Sequence, residues 1–148
     1  MKHIPDEMYR QIIQLMPIPC VDLVVKNQKQ EILLLKRINA PAKDEWWFPG
    51  GRIHYMETRQ DAVMRKLKEE CGIVGKVIKE VGTYDVFLEA DNKVPSHGIT
   101  SVFEVLTEQD NVIMDKQSNT YAWKSGSDWL KIVNSKFIMM IIRKFNEV

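Results

Sequence analysis

The sequence predicts a mixed α/β (α+β) fold, with one sheet sandwiched between helices. Three observations predict it. Apolar, β-prone runs occur at 20–25, 31–36 and 99–106. A stretch free of Gly and Pro, from Thr58 to Cys71, separates the second run from the third. Two more helical stretches close the chain, at 127–133 and 135–145.

Each element follows from its residues. Residues 6–16 form an amphipathic helix with Met8, Ile12, Ile13 and Met16 on its apolar side. Cys20 to Val25 and Glu31 to Lys36 are strands around a turn at Asn27-Gln28-Lys29. Ala40 to Asp44 is a loop, and Trp46 to Phe48 leads into the turn Pro49-Gly50-Gly51. The helix from Thr58 stops at Gly72, which suits a helix end. At about 100° per residue, Val63, Met64, Leu67 and Cys71 share the face expected to be buried. Ala62, Lys66, Glu69 and Glu70 share the opposite side. Val74 to Phe87 has strand-like runs broken near Gly82, and Asp91 to Gly98 is a polar loop holding Pro95 and His97. Tyr121 to Trp123 is a short strand. The last helix is apolar beyond a single stripe, which points to deep packing or to a subunit interface.

A chain of 148 residues makes one domain, 1–148, with length enough for a sizeable core. Its 45% apolar and 28% charged residues are those of a soluble globule. A net charge of +1 gives no electrostatic case for binding a nucleic-acid polymer or a membrane. Cys20 and Cys71 form no metal or disulfide pattern, and two unclustered thiols suit a reducing cytoplasm. The segment MKHIPDEMYR is too polar for a signal peptide. The location expected is therefore cytoplasmic.

Residues 51–73 carry the chemistry. Gly51 is followed by Glu57, Arg65, Glu69, Glu70, Gly72 and Ile73. Two carboxylates beside a glycine turn make an oxygen-rich site for a hard cation such as Mg2+. Such an ion can bridge a diphosphate and neutralise charge on its leaving group. The spacing resembles the Nudix box, G-x5-E-x7-R-E-U-x-E-E-x-G-U, where U is a bulky apolar residue. One acidic position departs: Lys66 stands where the family has a glutamate. A protonated lysine cannot ligate Mg2+, so fewer ions are expected here than in members with all three glutamates. The resemblance implies a mixed sheet between helices and hydrolysis of a nucleoside diphosphate derivative.

Outside the box the chain resembles the GDP-mannose mannosyl hydrolase branch. The stretches PIPCVDLVVKN at 17–27, EILLLKRINAPA at 31–42 and WWFPGGR at 46–52 carry this, with the Gln117 region. That branch also lacks the first glutamate. Its water attacks the anomeric carbon of the sugar, releasing GDP and free sugar. The resemblance implies roles by position. Gly50, by its carbonyl, with Glu70 and Gln117, would hold Mg2+ or Mn2+, and Glu69 is an alternative ligand. Arg37 and Arg52 would bind the diphosphate, and Arg65 would orient the glutamates by ion pairing. Asp22 would meet the nucleotide-sugar, since an acid in the strand VDLVV needs a ligand or a partner. The branch also implies a homodimer.

The departure lies at the base. The branch has a histidine after the glutamine ligand, and this chain has Ser118. A serine hydroxyl is too weak an acid–base group near neutral pH to replace an imidazole. The candidates are His97 and Glu69; His54 lies in the box loop with its direction unknown. Trp46 and Trp47 could stack a nucleobase or belong to the core. The expected function is a Mg2+-dependent hydrolase of a nucleotide-sugar such as GDP-mannose. The alternatives are attack at phosphorus of ADP-ribose or a nucleoside triphosphate, and a non-catalytic nucleotide-binding module.

Overall fold

Strand alternation divides the molecule into two packed faces. In the computed structural model, which describes residues 3–40, 42–89 and 95–146, strand β1 (Ile18–Lys26) sends Val21, Leu23 and Val25 to one side and Val24 to the other. Strand β2 (Ile32–Arg37) does the same with Leu33 and Leu35 against Ile32 and Leu34. This period-two pattern is what a sheet buried on both faces requires. One side is covered by Ala62, Val63, Leu67 and Cys71, the other by Trp129, Ile138, Ile141 and Ile142.

In chain order the elements are helix α1 (Asp6–Leu15), β1, β2, β3 (Trp46–Trp47), β4 (Gly50–Arg52), helix α2 (Arg59–Cys71), β5 (Lys76–Glu89), β6 (Pro95–Leu106), β7 (Ser118–Lys124), and helices α3 (Gly126–Trp129) and α4 (Lys136–Asn146). The strands form one seven-stranded mixed sheet. Its axis is a parallel pairing of β1 with β6, in register from Ile18 opposite Gly98 to Lys26 opposite Leu106. The other pairings are antiparallel: β5 with β6, β7 and β3 with β2, and β2 and β4 with β1. The fold is the mixed α+β sandwich expected from the sequence.

Four expectations change. Val74–Phe87 is not broken at Gly82: β5 runs through it, absorbing two register shifts as bulges, at Val77/Lys79 and Glu80/Gly82. Of the expected loop at 91–98, residues 91–94 lie outside the described ones, and Pro95 to Gly98 belong to β6. Proline is tolerated there because it is the first residue of the strand. The helix at 127–133 is one turn, pinned where Trp129 Nε1 donates to the Ile32 carbonyl at 2.8 Å. On α2, Met64 is 36% exposed, whereas Ala62, Lys66 and Glu70 are buried. The buried arc is rotated toward β1 and β4 because a paired ammonium and carboxylate can be enclosed together. The caps of α2 are local: Thr58 Oγ1 accepts from Asp61 N at 3.1 Å, and Gly72 ends the helix with φ +63°.

Candidate functional site

The glycine turn needs glycine at its centre. A Cβ on Gly50 would run into the Val21 carbonyl. One on Gly51 would lie 2.9 Å from Lys66 Cε. Strand β4 is thereby laid against β1, with Gly50 opposite Asp22 and Arg52 opposite Cys20. The turn forms one wall of a cavity of 520 Å³, which Arg37, Arg52, Arg65, Lys66, Glu69 and Gln117 also line. A volume of that order suits a small organic ligand.

The box glutamates and arginine form one connected ion-pair network. Arg65 grips Glu57 with both edges of its guanidinium: Nε donates to Oε1 at 2.6 Å and Nη2 to Oε2 at 3.0 Å. It also donates to the Arg52 carbonyl at 3.0 Å and to Glu69 Oε2 at 3.1 Å. The Arg65 fork holds the Glu57 carboxyl down at about 2. Glu70 is enclosed: its Oε2 accepts from Gly50 N at 2.7 Å, and its Oε1 lies 3.3 Å from Lys66 Nζ. Burial pushes the Glu70 carboxyl up, and Lys66 opposes that shift. Glu69 is half exposed and reaches the cavity, with Oε2 at 3.6 Å from Lys66 Nζ. The Lys66 ammonium thus stands between the two carboxylates that the sequence suggested for a metal.

Arg37 closes β2, and Gln117 precedes β7, whose Ser118 is paired with Arg37. The Gln117 carbonyl accepts from Ile38 N at 3.1 Å. These contacts bring two residues far apart in sequence to one rim. Arg52 rests on Tyr9, with its Cζ 5.6 Å from the ring centroid. Among the described residues no cluster of three or more His, Cys, Asp or Glu side chains forms a ready-made metal site.

Asp22 lies deeper. Its Oδ2 accepts from Thr100 Oγ1 at 2.7 Å. Burial pushes its carboxyl up to about 7, against the Thr100 and Trp47 hydrogen bonds and the nearby Arg37. The cavity is also lined by the apolar Ile18, Trp47, Phe48, Val86 and Leu88. Trp47 stacks on Phe137 at 5.8 Å, and Trp46 tilts against Trp129 at 5.0 Å. Both indoles pack into the core, and Trp47 also shows an edge to the cavity.

His97 lies on β6 at the cavity rim, not in a loop. Its Nε2 is 2.9 Å from Asp85 Oδ1, and its ring stacks on Phe87 at 4.5 Å. His54 lines the same cavity, as does Arg52. Sequence reasoning missed Tyr9, Thr100, Val86 and Leu88. A weak signal existed for Tyr9 only: it stands four residues before Ile13, which also lines the cavity.

Comparison with known proteins agrees with this architecture. The model of the NUDIX domain matches residues 16–132. The low-salt glycan biosynthesis protein Agl8 of Haloferax volcanii is 34% identical over 117 residues, covering 77% of this chain and 74% of its own. An ADP-ribose pyrophosphatase of Methanocaldococcus jannaschii is 36% identical over 91 residues, 62% of this chain and 52% of its own. Among solved structures, a MutT protein from Methanosarcina mazei superposes with a TM-score of 0.76 at 23% identity, over 90% of this chain and 99% of that one. The NUDIX domain of Shewanella oneidensis NrtR, complexed with ADP ribose, gives 0.74 at 21% identity, over 97% and 98%. Among the described residues no helix is long and apolar enough to cross a membrane. The reach of the domain match and the identity to the Haloferax relative establish that the chain belongs to the Nudix family of hydrolases.

Proposed function

We propose that the protein is a divalent-metal-dependent hydrolase of a nucleoside diphosphate joined to a sugar, such as GDP-mannose, releasing GDP and the free sugar. The observation that carries this is the continuity of the cavity. Arg37 and Arg52 line the same recess as the apolar Ile18, Phe48, Val86 and Leu88, with Asp22 and Thr100. Guanidinium forks suit diphosphate oxygens, and the recess suits an attached group. The name of the Haloferax relative, glycan biosynthesis, agrees with a nucleotide-sugar.

The donor set fits a single hard cation, Mg2+ with Mn2+ as its substitute. Glu69, Gln117 and Gly50 line the cavity and offer oxygens only. Glu70 joins them when Lys66 yields its Oε1. When bound, the ion would neutralise charge that develops on the leaving diphosphate. Arg37 and Arg52 would hold that diphosphate, and Arg65 would keep Glu69 aimed at the cavity. His97 is the proton acceptor of this proposal. Asp85 Oδ1 accepts the hydrogen bond from Nε2–H, which leaves the Nδ1 lone pair able to accept a proton from water. Homodimerisation belongs to the same proposal, and light scattering checks it.

A second reading, attack at phosphorus, is favoured by the relative named ADP-ribose pyrophosphatase and by the half-exposed Glu69. Incubation with GDP-mannose, ADP-ribose and nucleoside triphosphates in Mg2+ separates the two. GDP and mannose support the first; GMP and mannose 1-phosphate, or AMP from ADP-ribose, support the second. Tight binding of a nucleotide with no turnover of any substrate would leave a non-catalytic binding module.

A further inference from the structure

The box loop carries a side chain that the proposal above leaves unused. His54 lines the cavity together with Arg52, Lys66 and Glu69. Its Nδ1 is buried, and it is the one such side-chain nitrogen or oxygen among the described residues without a hydrogen-bond partner. Buried polar atoms are nearly always satisfied, so an exception needs a physical reason.

The backbone at His54 is fixed, not loose. His54 N donates to Glu57 Oε2 at 2.9 Å, and the His54 carbonyl accepts from Glu57 N at 3.1 Å. Glu57 is itself held by the Arg65 fork. The backbone that carries His54 is therefore anchored to α2.

The orphaned atom sets the protonation state. A buried N–H without an acceptor is rarer and more costly than a bare lone pair. The neutral ring therefore keeps its proton on Nε2. Adding a second proton would place an N–H where no acceptor stands. The surroundings act in the same direction. Burial and Arg65 on α2 hold the imidazole below its ordinary range, joined by Arg52 on β4 and opposed by Glu57 and Glu69. With Nδ1 sealed, the edge of the ring left to the cavity is the one that bears Nε2.

We propose that His54 is a neutral hydrogen-bond donor to the substrate's diphosphate, presenting Nε2–H beside Arg52. This rests on the diphosphate reading above. Arg37, Arg52 and Lys66 already face the site as cations. A neutral donor adds direction to that field without a further charge.

The test has two arms. In protein labelled with ¹⁵N-histidine, long-range proton–nitrogen correlation should show His54 as the neutral Nε2–H form at neutral pH. Its signals are assigned by their loss in His54→Gln. Adding GDP with Mg2+ should shift the Nε2–H proton. Binding of GDP should weaken about tenfold in His54→Phe, which fills the space without a donor. His54→Gln, which keeps an N–H, should recover part of that loss. An imidazolium or Nδ1–H form at neutral pH overturns the inference, as does GDP binding by His54→Phe at wild-type strength. If Arg52→Ala loses GDP while His54→Phe keeps it, only this inference fails. If the wild type binds no GDP, the diphosphate reading fails with it.

Discussion

Lys66 Nζ lies 3.3 Å from Glu70 Oε1, with side chains 9% and 6% exposed, so α2 carries an enclosed ion pair at the glycine turn. The other Glu70 oxygen takes the Gly50 amide at 2.7 Å. One carboxylate thus ties the helix to the turn, and its charge is balanced from the preceding turn of the same helix. Removing Lys66 leaves that charge buried and unpaired. Lys66→Met should therefore lower stability by about 3 kcal/mol in urea unfolding. Lys66→Met with Glu70→Gln should recover much of it, because neither partner is then stranded. A single variant as stable as the wild type would show that the pair is not held as described.

The same ammonium bears on the metal count. It stands 3.3 and 3.6 Å from the two adjacent carboxylates, where an ion bridging them would otherwise be attracted. Lys66→Glu exchanges a cation for a third carboxylate. Titration with Mn2+, followed by electron paramagnetic resonance, should find about one more ion bound per chain than in the wild type. Equal counts would remove Lys66 from any part in metal number.

The Glu57–Arg65 fork predicts a pH dependence. The Glu57 carboxyl is held at about 2, against 4.5 for the free group, first by the Arg65 hydrogen bond. A folded-state value below the unfolded one gives stability that is fully present above 4.5. That stability fades as pH falls from 4.5 toward 2. Glu57→Gln should lose about 2 kcal/mol at neutral pH, the scale of hydrogen bonds to a charged group. The gap between variant and wild type should narrow through that acid window in urea unfolding. A gap that stays constant to the bottom of the window would mean that charge is not its source.

How much of this was legible varies by residue. Glu57 and Arg65 were legible through the resemblance to the box, which implies that the arginine pairs with the glutamates. Asp22 was legible as a problem, since an acid inside a buried strand must find a partner. The partner itself, Thr100, was not, because only the parallel pairing of β1 with β6 brings together residues 78 apart in sequence. Lys66 and Glu70 fall outside the face expected to be buried because periodicity scores each charge alone, whereas burial here is a property of the pair. The rim formed by Arg37 and Gln117 depends on the β2–β7 ladder, a contact with no local signature. Local elements and the box could be read; the depth of the cavity is made by long-range registers.

Gly50 offers a test of the turn. A methyl at this position would meet the Val21 carbonyl, a backbone atom that cannot move without breaking the β1–β4 pairing. Gly50→Ala should cost about 3 kcal/mol or displace the turn, the scale of overpacking in a close-packed interior. Urea unfolding together with amide exchange of Gly51 and Arg52 separates the two outcomes. Wild-type stability with wild-type exchange would contradict the close approach.

His97 decides whether the rim histidine takes part in chemistry. Its Nε2 lies 2.9 Å from Asp85 and its ring is stacked on Phe87, so the ring is oriented with Nδ1 bare. If it accepts a proton from water, His97→Gln should lower kcat for the hydrolysed substrate about 10²- to 10⁴-fold, with KM changed little. Asp85→Asn should lower kcat less, because the ring remains while its tautomer is no longer enforced. Neither change should affect stability by more than a few tenths of a kcal/mol, since exposed pairs of this kind contribute little. Turnover at the wild-type rate in His97→Gln would exclude His97 as the base. The half-exposed Glu69, which also lines the cavity, would then be tested as Glu69→Gln under the same assay.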